Sequence, residues 1–468
     1  VRVRSETEDL SAWWSVFNDR ALYDLVQTAY RQNLTLREAG FRVLQARALR
    51  GVAVGNLFPQ SQYANGHALQ EKLSRNAANR GFLNQAFFAE WHYGLGLAWE
   101  IDFWGRFRRA IEAADANLNA SVENYDDVLV TLLGDVAANY ALLRTVEQQL
   151  AYVHDNIELQ RRSLVIAQAR FQGGQTTEVD VDMAQSILSQ TEALVPQLKI
   201  QRRQVNNRLC VLLGMPVEDL EARLGAAPIP SAPSDVAVGI PADLLRRRPD
   251  VRRQERLAAA QSAQIGIAQA DFYPAISITG DIGYTAAQFS RTFSGNSLEG
   301  FVGPTFQWKI LNYGRIRNNV RVQRAAFQET VAAYQQTVLQ ANEEAENGLI
   351  EFLQSQQETT NYAESVAASK KAVTAALAQY DGGLVSFIWV SFLEQNLVQQ
   401  QNQLALAKNN IAQGLIQVYR ALGGGWQIRL RGGEAVPGQV PGPAREEPIV
   451  PAAENLPPPE PAGEAGGA

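Results

Sequence analysis

The stretch FQGGQTTEVDV, Phe171 to Val181, decides the reading of this chain because a variant of it, YDGGLVSFIWV, recurs at Tyr380 to Val390. The paired glycines Gly173-Gly174 and Gly382-Gly383 lie 382 − 173 = 209 positions apart. Glycine reaches positive φ without steric cost, so a glycine pair ends one helix and turns the chain. Each pair stands between two long segments with apolar residues at helical spacing, and each is therefore read as the tip of a helical hairpin.

Upstream of the first tip, a 4-3 spacing picks out Leu118, Val122, Tyr125, Leu129, Leu132, Val136, Asn139, Leu143, Val146, Leu150, Val153, Ile157, Gln160, Leu164, Ala167 and Phe171. A seam sustained over several heptads predicts coiled-coil packing with left-handed supercoiling. A helix from Arg106 to Phe171 would run ~100 Å at 1.5 Å per residue, too long for the core of one compact domain. Of its two polar members, Asn139 and Gln160, solvent exposure is expected. Downstream, the seam resumes at Val181, Ala184 and Leu188, with Pro196 placed to interrupt it. The second half keeps step through Phe327, Val331, Tyr334, Val338 and Val373, and past its tip through Val390, Leu393, Leu397 and Leu404.

Before each long helix the period drops to two. Trp91, Tyr93, Leu95, Leu97 and Trp99 alternate with Glu90, His92, Gly94, Gly96 and Ala98, which predicts a strand with one apolar face. Gln60 to Gln70 is a poorer strand partner, and Leu73 to Gly81 reads as a polar loop. In the second half, Ile276, Ile278, Ile282 and Tyr284 form one alternating run, and Val302, Phe306, Trp308 and Ile310 another, with a loop over Phe289 to Asn296. Trp104-Gly105-Arg106 and Tyr313-Gly314-Arg315 punctuate the return to helix at the same offset.

The organisation that follows is a segment 1–33; a first repeat 34–225 with a β-hairpin about 60–100, a long helix 106–171, a tip turn 172–177 and a return helix 178–213; a linker 226–241; a second repeat 242–424 with a hairpin about 275–310, a helix 315–380, a tip 381–386 and a return helix 387–422; and an end segment 425–468 with a Pro-, Gly- and Glu-rich tail expected to be disordered. The fold class is mainly α, a long coiled-coil helical assembly with four strands per chain.

Net charge is −6 and the sequence pI is near 5.4, so no global basic field recruits nucleic acid. Three scattered histidines and the single Cys210 give neither a disulfide framework nor zinc spacing, so no metal is expected. Phosphate-loop, GxSxG and HExxH motifs are absent, so neither an enzyme nor a cofactor is expected. No run reaches the eighteen consecutive apolar residues of a membrane helix, and no signal peptide precedes Val1, which suits a cytosolic or a processed chain. Alternating barrel strands give a far weaker signal and stay open. Arg246 to Arg248, Arg252, Arg253 and Arg256 interleave with Asp243, Asp250 and Glu255 and read as a solvated helix start.

These residues resemble the outer membrane factor family, the TolC-like exit ducts of efflux and secretion systems, over Trp13 to Gly424. The resemblance rests on LRRRPDVR (Leu245 to Arg252) leading into QADFYPAISI (Gln269 to Ile278), on the Gly-Arg after each hairpin and on the two glycine turns. The first of these is similar to the lipoprotein-type branch serving resistance-nodulation-division (RND) pumps, and the place of a lipidated cysteine would be upstream of Val1. The resemblance implies a homotrimer whose strands complete one twelve-stranded barrel in outer-membrane lipid, with a helical tunnel reaching into the periplasm of a Gram-negative cell. It implies as partners a periplasmic adaptor (membrane fusion) protein and an inner-membrane RND transporter, with 1–33 and 425 onward forming an equatorial belt.

By the same resemblance, Glu178, Asp180, Phe387, Trp389 and Phe392 are the expected gate, an acidic leaf and an aromatic one. Gly173, Gly174, Gln175, Thr176, Gly382, Gly383, Leu384, Val385 and Ser386 are the expected adaptor-docking tips. Trp91, Tyr93, Trp99, Tyr284, Phe306 and Trp308 are the expected membrane-facing aromatics. Two alternatives stay open at this point: a type I protein-secretion duct, and a non-conducting coiled-coil scaffold or adhesin.

Overall fold

The computed structural model describes residues 3–4, 10–74, 76, 87–233, 236–237 and 247–431. Most of the expected polar loop at Leu73 to Gly81, the first two residues of the Leu245 to Arg252 stretch, and the tail beyond Arg431 lie outside them. The chain divides into two compact units, and each draws segments from both sequence repeats.

The larger unit takes Val1–Arg42, Val122–Arg252 and Gln336–Ala468. Its first layer is a 3-10 helix, Leu10–Phe17, followed by α1 (Arg20–Gln32) and the start of α2 (Leu34–Gly55). Asp19 begins α1 because its carboxylate accepts from the amides of Ala21 (2.8 Å) and Leu22 (3.1 Å), two donors the helix cannot satisfy itself. Asn33 does the same for α2, accepting from Leu36 N at 2.8 Å while its amide donates to Leu212 O at 2.9 Å. A two-residue parallel pair, β1 (Val3–Arg4) with β4 (Val236–Ala237), joins segments that are far apart in sequence.

The rest of this unit is the lower part of α3 (Arg106–Gln172), α4 (Glu178–Glu192), α5 (Leu194–Leu212), a short α6 (Glu221–Leu224), the lower part of α8 (Arg315–Asp381), α9 (Phe387–Ala421) and a closing 3-10 helix, Trp426–Arg431. The predicted seam is buried along α3 from Val122 through Val136, Val146 and Ile157 to Ala167. Pro196 acts as expected but three residues early: the helical run breaks at Ala193, just after Glu192, whose carbonyl the missing proline N–H leaves without its helical donor. The corresponding position of the second repeat is Ala405, and α9 runs unbroken.

Gln160 does not face solvent; it is 1% exposed, and neither its amide oxygen nor its amide nitrogen has a hydrogen-bond partner among the described residues. Asn139 is half-buried and donates to Asp135 O on its own helix. One 18-residue window of α3 reaches a mean hydropathy of 1.2, but 67% of it is buried within the chain, as a core helix would be.

At the 3-10 end of this unit, Trp13 stacks on Tyr419 at 5.5 Å. Arg429 holds the buried Asp126 through two hydrogen bonds of 2.8 Å, the fork geometry that a fully desolvated carboxylate needs. Arg252 pairs with Glu123, and its guanidinium lies 4.9 Å from the Trp426 ring.

The smaller unit takes Val43–Ser121 and Arg253–Gln335. It holds β2 (Ser61–Lys72), β3 (Phe87–Glu100), α7 (Pro249–Ala270, in part), β5 (Ala275–Ala286), β6 (Leu298–Gln307) and the first turns of α3 and α8. The strands form one antiparallel sheet in the order β2-β3-β5-β6. Rows such as Gly66, Tyr93, Tyr284 and Leu298, then Ala64, Leu95, Ile282 and Gly300, place most of the large apolar residues of β3 and β5, with Leu298, Val302 and Phe306 of β6, on one face. The opposite face carries Asn65, His67, His92, Asp281, Thr285 and Glu299, with Tyr63, Leu69, Phe88 and Phe301 among them.

The last strand differs from expectation. β6 spans Leu298–Gln307, so Trp308 and Ile310 fall beyond it, because the Trp308 indole turns back to donate to Phe272 O at 3.0 Å. Gly105 and Gly314, at φ of +81° and +80°, set the corners that lead into α3 and α8. At the first corner the Asp102 carboxylate accepts from the amides of Phe107 and Arg108.

Candidate functional site

Both glycine tips, in the larger unit, are built alike. Gly174 at φ +66° lets Gln175 N donate to Arg170 O and Gly174 N to Phe171 O, each at 2.9 Å. Gly383 at φ +74° gives Leu384 N to Gln379 O (2.8 Å) and Gly383 N to Tyr380 O (2.9 Å). This paired 6→1 and 5→2 bonding terminates a helix only when the penultimate residue is left-handed, which explains glycine at both positions. Gly173, Gly174, Gln175, Gly382, Gly383, Leu384 and Ser386 are exposed, with Leu384 at 79%, while Thr176 and Val385 are half-buried.

The return helices begin differently. Ser386 caps α9 through Ile388 N, whereas α4 opens with two carboxylates, Glu178 and Asp180, in its first turn. Negative charge is favoured at that end of the helix dipole. Glu178 is exposed. Asp180 is half-buried and held: Thr176 Oγ1 donates to its Oδ2, and so does the phenol of Tyr380, from the end of the other long helix, at 2.9 Å. Burial first, and then the Asp180 carboxylate, push the Tyr380 phenol up to about 12, so it stays a donor at neutral pH. Arg170 closes the junction, lying 4.7 Å over the Tyr380 ring and donating to Asp381 O at 3.3 Å. The two tips are thereby fastened within one chain.

The expected aromatic leaf separates into two parts. Phe387 is fully buried, edge-on to Tyr380 at 5.1 Å in a cluster with Ala167, Ala184, Ile187 and Val390, so it is a core residue rather than part of an open aperture. Trp389 and Phe392 are 59% and 61% exposed and lie three residues apart on one face of α9. Tyr380 stands 209 positions after Phe171, the last member of the first apolar seam, so sequence alone reads it as packing; a phenol where its echo is Phe171 is the signal that marks it, and Arg170 carries none.

A second feature above the tips was also missed. Gln149, Asn156 and Ser163 recur every seven residues on α3 and meet polar partners on α9: Gln149 with Asn402 (2.6 Å), Asn156 with Gln401 (2.5 Å), and Ser163 with Glu394. Glu394 is 2% exposed, and burial pushes its carboxyl up to about 7 against the opposing Ser163 hydrogen bond.

In the smaller unit the membrane-facing candidates fall at the two ends of the sheet's apolar face. Trp91, Tyr93 and Tyr284 gather with Phe289 and Phe293 of the β5–β6 loop, at ring separations of 5.1 to 5.7 Å. At the opposite end, Trp99 donates to Leu57 O (3.1 Å), Trp308 to Phe272 O and Trp104 to Pro274 O (2.8 Å), with Phe306 fully open nearby. His67 and His92, remote in sequence, are direct cross-strand partners stacked at 5.1 Å, with Glu90 3.1 Å from His67. Among the described residues no group of three or more His, Cys, Asp or Glu is placed to hold a metal ion.

Known proteins place this arrangement. The chain is 29% identical over 421 residues to the pyoverdine export outer membrane protein OpmQ of Pseudomonas putida, covering 89% of this chain and 88% of that one. It is 27% identical over 425 residues to Nodulation protein T of Rhizobium leguminosarum bv. trifolii, covering 90% and 89%. The solved outer-membrane channel OprN shares 31% identity at a TM-score of 0.85, over 91% of this chain and 94% of that one. The Campylobacter jejuni CmeC outer membrane channel, at 22% identity and a TM-score of 0.84, covers 90% and 89% and shares the fold. The model of the family described as "Outer membrane efflux protein" matches residues 25–215 and 240–424, and the chain belongs to that family of outer-membrane channel proteins.

Proposed function

We propose that three copies of this chain form a passive exit channel for a tripartite RND-type efflux system, opened and closed at the helical tips. The observation that carries the reading is the sheet. Four strands with one mainly apolar face, a more polar opposite face and two unpaired edges are not stable alone in lipid or water, and closure with other copies removes the edges. Aromatic residues at both ends of the apolar face fit a lipid-facing exterior with interfacial girdles, and the polar face fits a water-filled lumen.

Gating belongs to the tips. The Tyr380–Asp180–Thr176 fastener ties the end of α8 to the start of α4 and favours a closed arrangement, with Glu178 free to present negative charge to the passage. Trp389 and Phe392 stay more than half exposed among the described residues and are assigned to the narrowing between protomers. The exposed turns around Gly174 and Gly383 are the docking points for a periplasmic adaptor, which in turn engages an inner-membrane transporter.

Energy comes from that transporter, because the channel itself has no chemistry to perform. Relatives named for pyoverdine export and for toluene and solvent efflux favour small organic cargo over secreted proteins. Conductance of the purified protein in planar bilayers tests the reading; protein recovered as a soluble monomer without detergent refutes it in favour of a scaffold.

A further inference from the structure

Below the sheet, where α3, α7 and α8 begin or end, the smaller unit contains a cleft of about 770 Å3. One wall is aromatic: Trp104 stacks on Tyr273 at 4.5 Å, beside Phe272. The other is basic: Arg317, Arg321 and Arg324 project from one face of α8 at spacings of four and three residues, and all three are exposed. Arg321 donates to Asn318 Oδ1 at 3.3 Å, and among the described residues no carboxylate pairs with Arg317, Arg321 or Arg324. The fourth arginine, Arg109 on α3, is paired with Glu112.

Three uncompensated guanidinium groups on one helix face repel one another unless an anion joins them. Guanidinium groups suit phosphate because they bind its oxygens in a fork. The aromatic wall adds a depth: Trp308, which continues the apolar face beyond Phe306, donates to the carbonyl of Phe272 in the cleft wall, so the arginines begin where the apolar face ends. Tryptophan and tyrosine mark the lipid–water boundary, and arginines just beyond it meet the headgroups.

We infer that this cleft binds the phosphate of an anionic phospholipid in the periplasm-facing leaflet, with the headgroup among Arg317, Arg321 and Arg324 and the glycerol end against Trp104 and Tyr273. The inference rests on the proposed barrel orientation. Lipid bound there stiffens the joint between strands and long helices, which is where the trimer meets the membrane.

The test reconstitutes the full-length chain into vesicles of mixed phosphatidylcholine and phosphatidylglycerol and counts lipids retained after gentle extraction by native mass spectrometry. Wild type should keep phosphatidylglycerol preferentially, and the R317Q/R321Q/R324Q variant should lose that preference by on the order of a hundredfold. Equal retention of both lipids by wild type, or an unchanged preference in the variant, overturns the site. Binding of inorganic phosphate that the R317Q/R321Q/R324Q change removes, with no phosphatidylglycerol preference in wild type, assigns the cleft to a soluble anion and overturns the lipid assignment. Quenching of tryptophan by brominated lipid, read on the same vesicles, separates the two levels: quenching without lipid preference defeats the cleft alone, and absence of quenching defeats the barrel reading and the cleft with it.

Discussion

Tyr380 and Asp180 lie 200 residues apart in the chain and meet at 2.9 Å, which makes their hydrogen bond a direct link between the two hairpins. A hydrogen bond to a charged group is worth about 1.5–3 kcal/mol, so Tyr380→Phe should shift the closed-to-open balance of each protomer by roughly tenfold to a hundredfold. Asp180→Asn should act in the same direction by less, since an amide oxygen still accepts. Both are read as open probability in bilayers.

Glu394 gives a second residue-scale expectation. Its carboxyl titrates near 7 when folded, above the ordinary value of 4.5, so its contribution to stability is fully present below about pH 4.5 and is lost as pH rises through 7. Glu394→Gln should therefore stabilise the protein at pH 8 by about 1–3 kcal/mol and leave it little changed at pH 4, as thermal melts at the two pH values will show. Gln160→Leu should also raise stability, by about 1–3 kcal/mol, because it removes two buried amide atoms that have no partners; a lower melting temperature would mean that the amide is satisfied by another protomer.

At the scale of elements, the sequence carried what is periodic. Long helices, alternating strands and glycine turns are written in repeats of seven, two and single positions; α3 and α8 are both 67 residues long, while the last strand ends at Gln307, short of its alternating run. Interactions across elements were less legible. The polar line Gln149, Asn156 and Ser163 keeps the heptad step but sits beside the apolar seam, where polar residues ordinarily meet water. The fate of Phe387 was hidden for a related reason: exposure of an aromatic next to a turn depends on which helix faces it, and only its neighbour Tyr380 decides that. The turns themselves offer a clean test. An added Cβ at Gly174 meets nothing within 4 Å, so Gly174→Ala reports the left-handed backbone alone and should cost about 1–2 kcal/mol in a denaturation curve.

At the scale of the whole molecule, the proposed channel combines a sheet that would close with other copies and tips that are fastened to each other within one chain. Trimer formation should survive changes at Leu384 and Gln175, whereas bulky charged residues there should abolish export by removing the adaptor's footing. The most direct measurement is single-channel conductance of the reconstituted trimer, wild type against the Asp180→Asn/Tyr380→Phe double variant. The account predicts a small, mostly closed conductance for wild type and a larger, longer-lived one for the variant. Identical conductance and open time in the two proteins would contradict it.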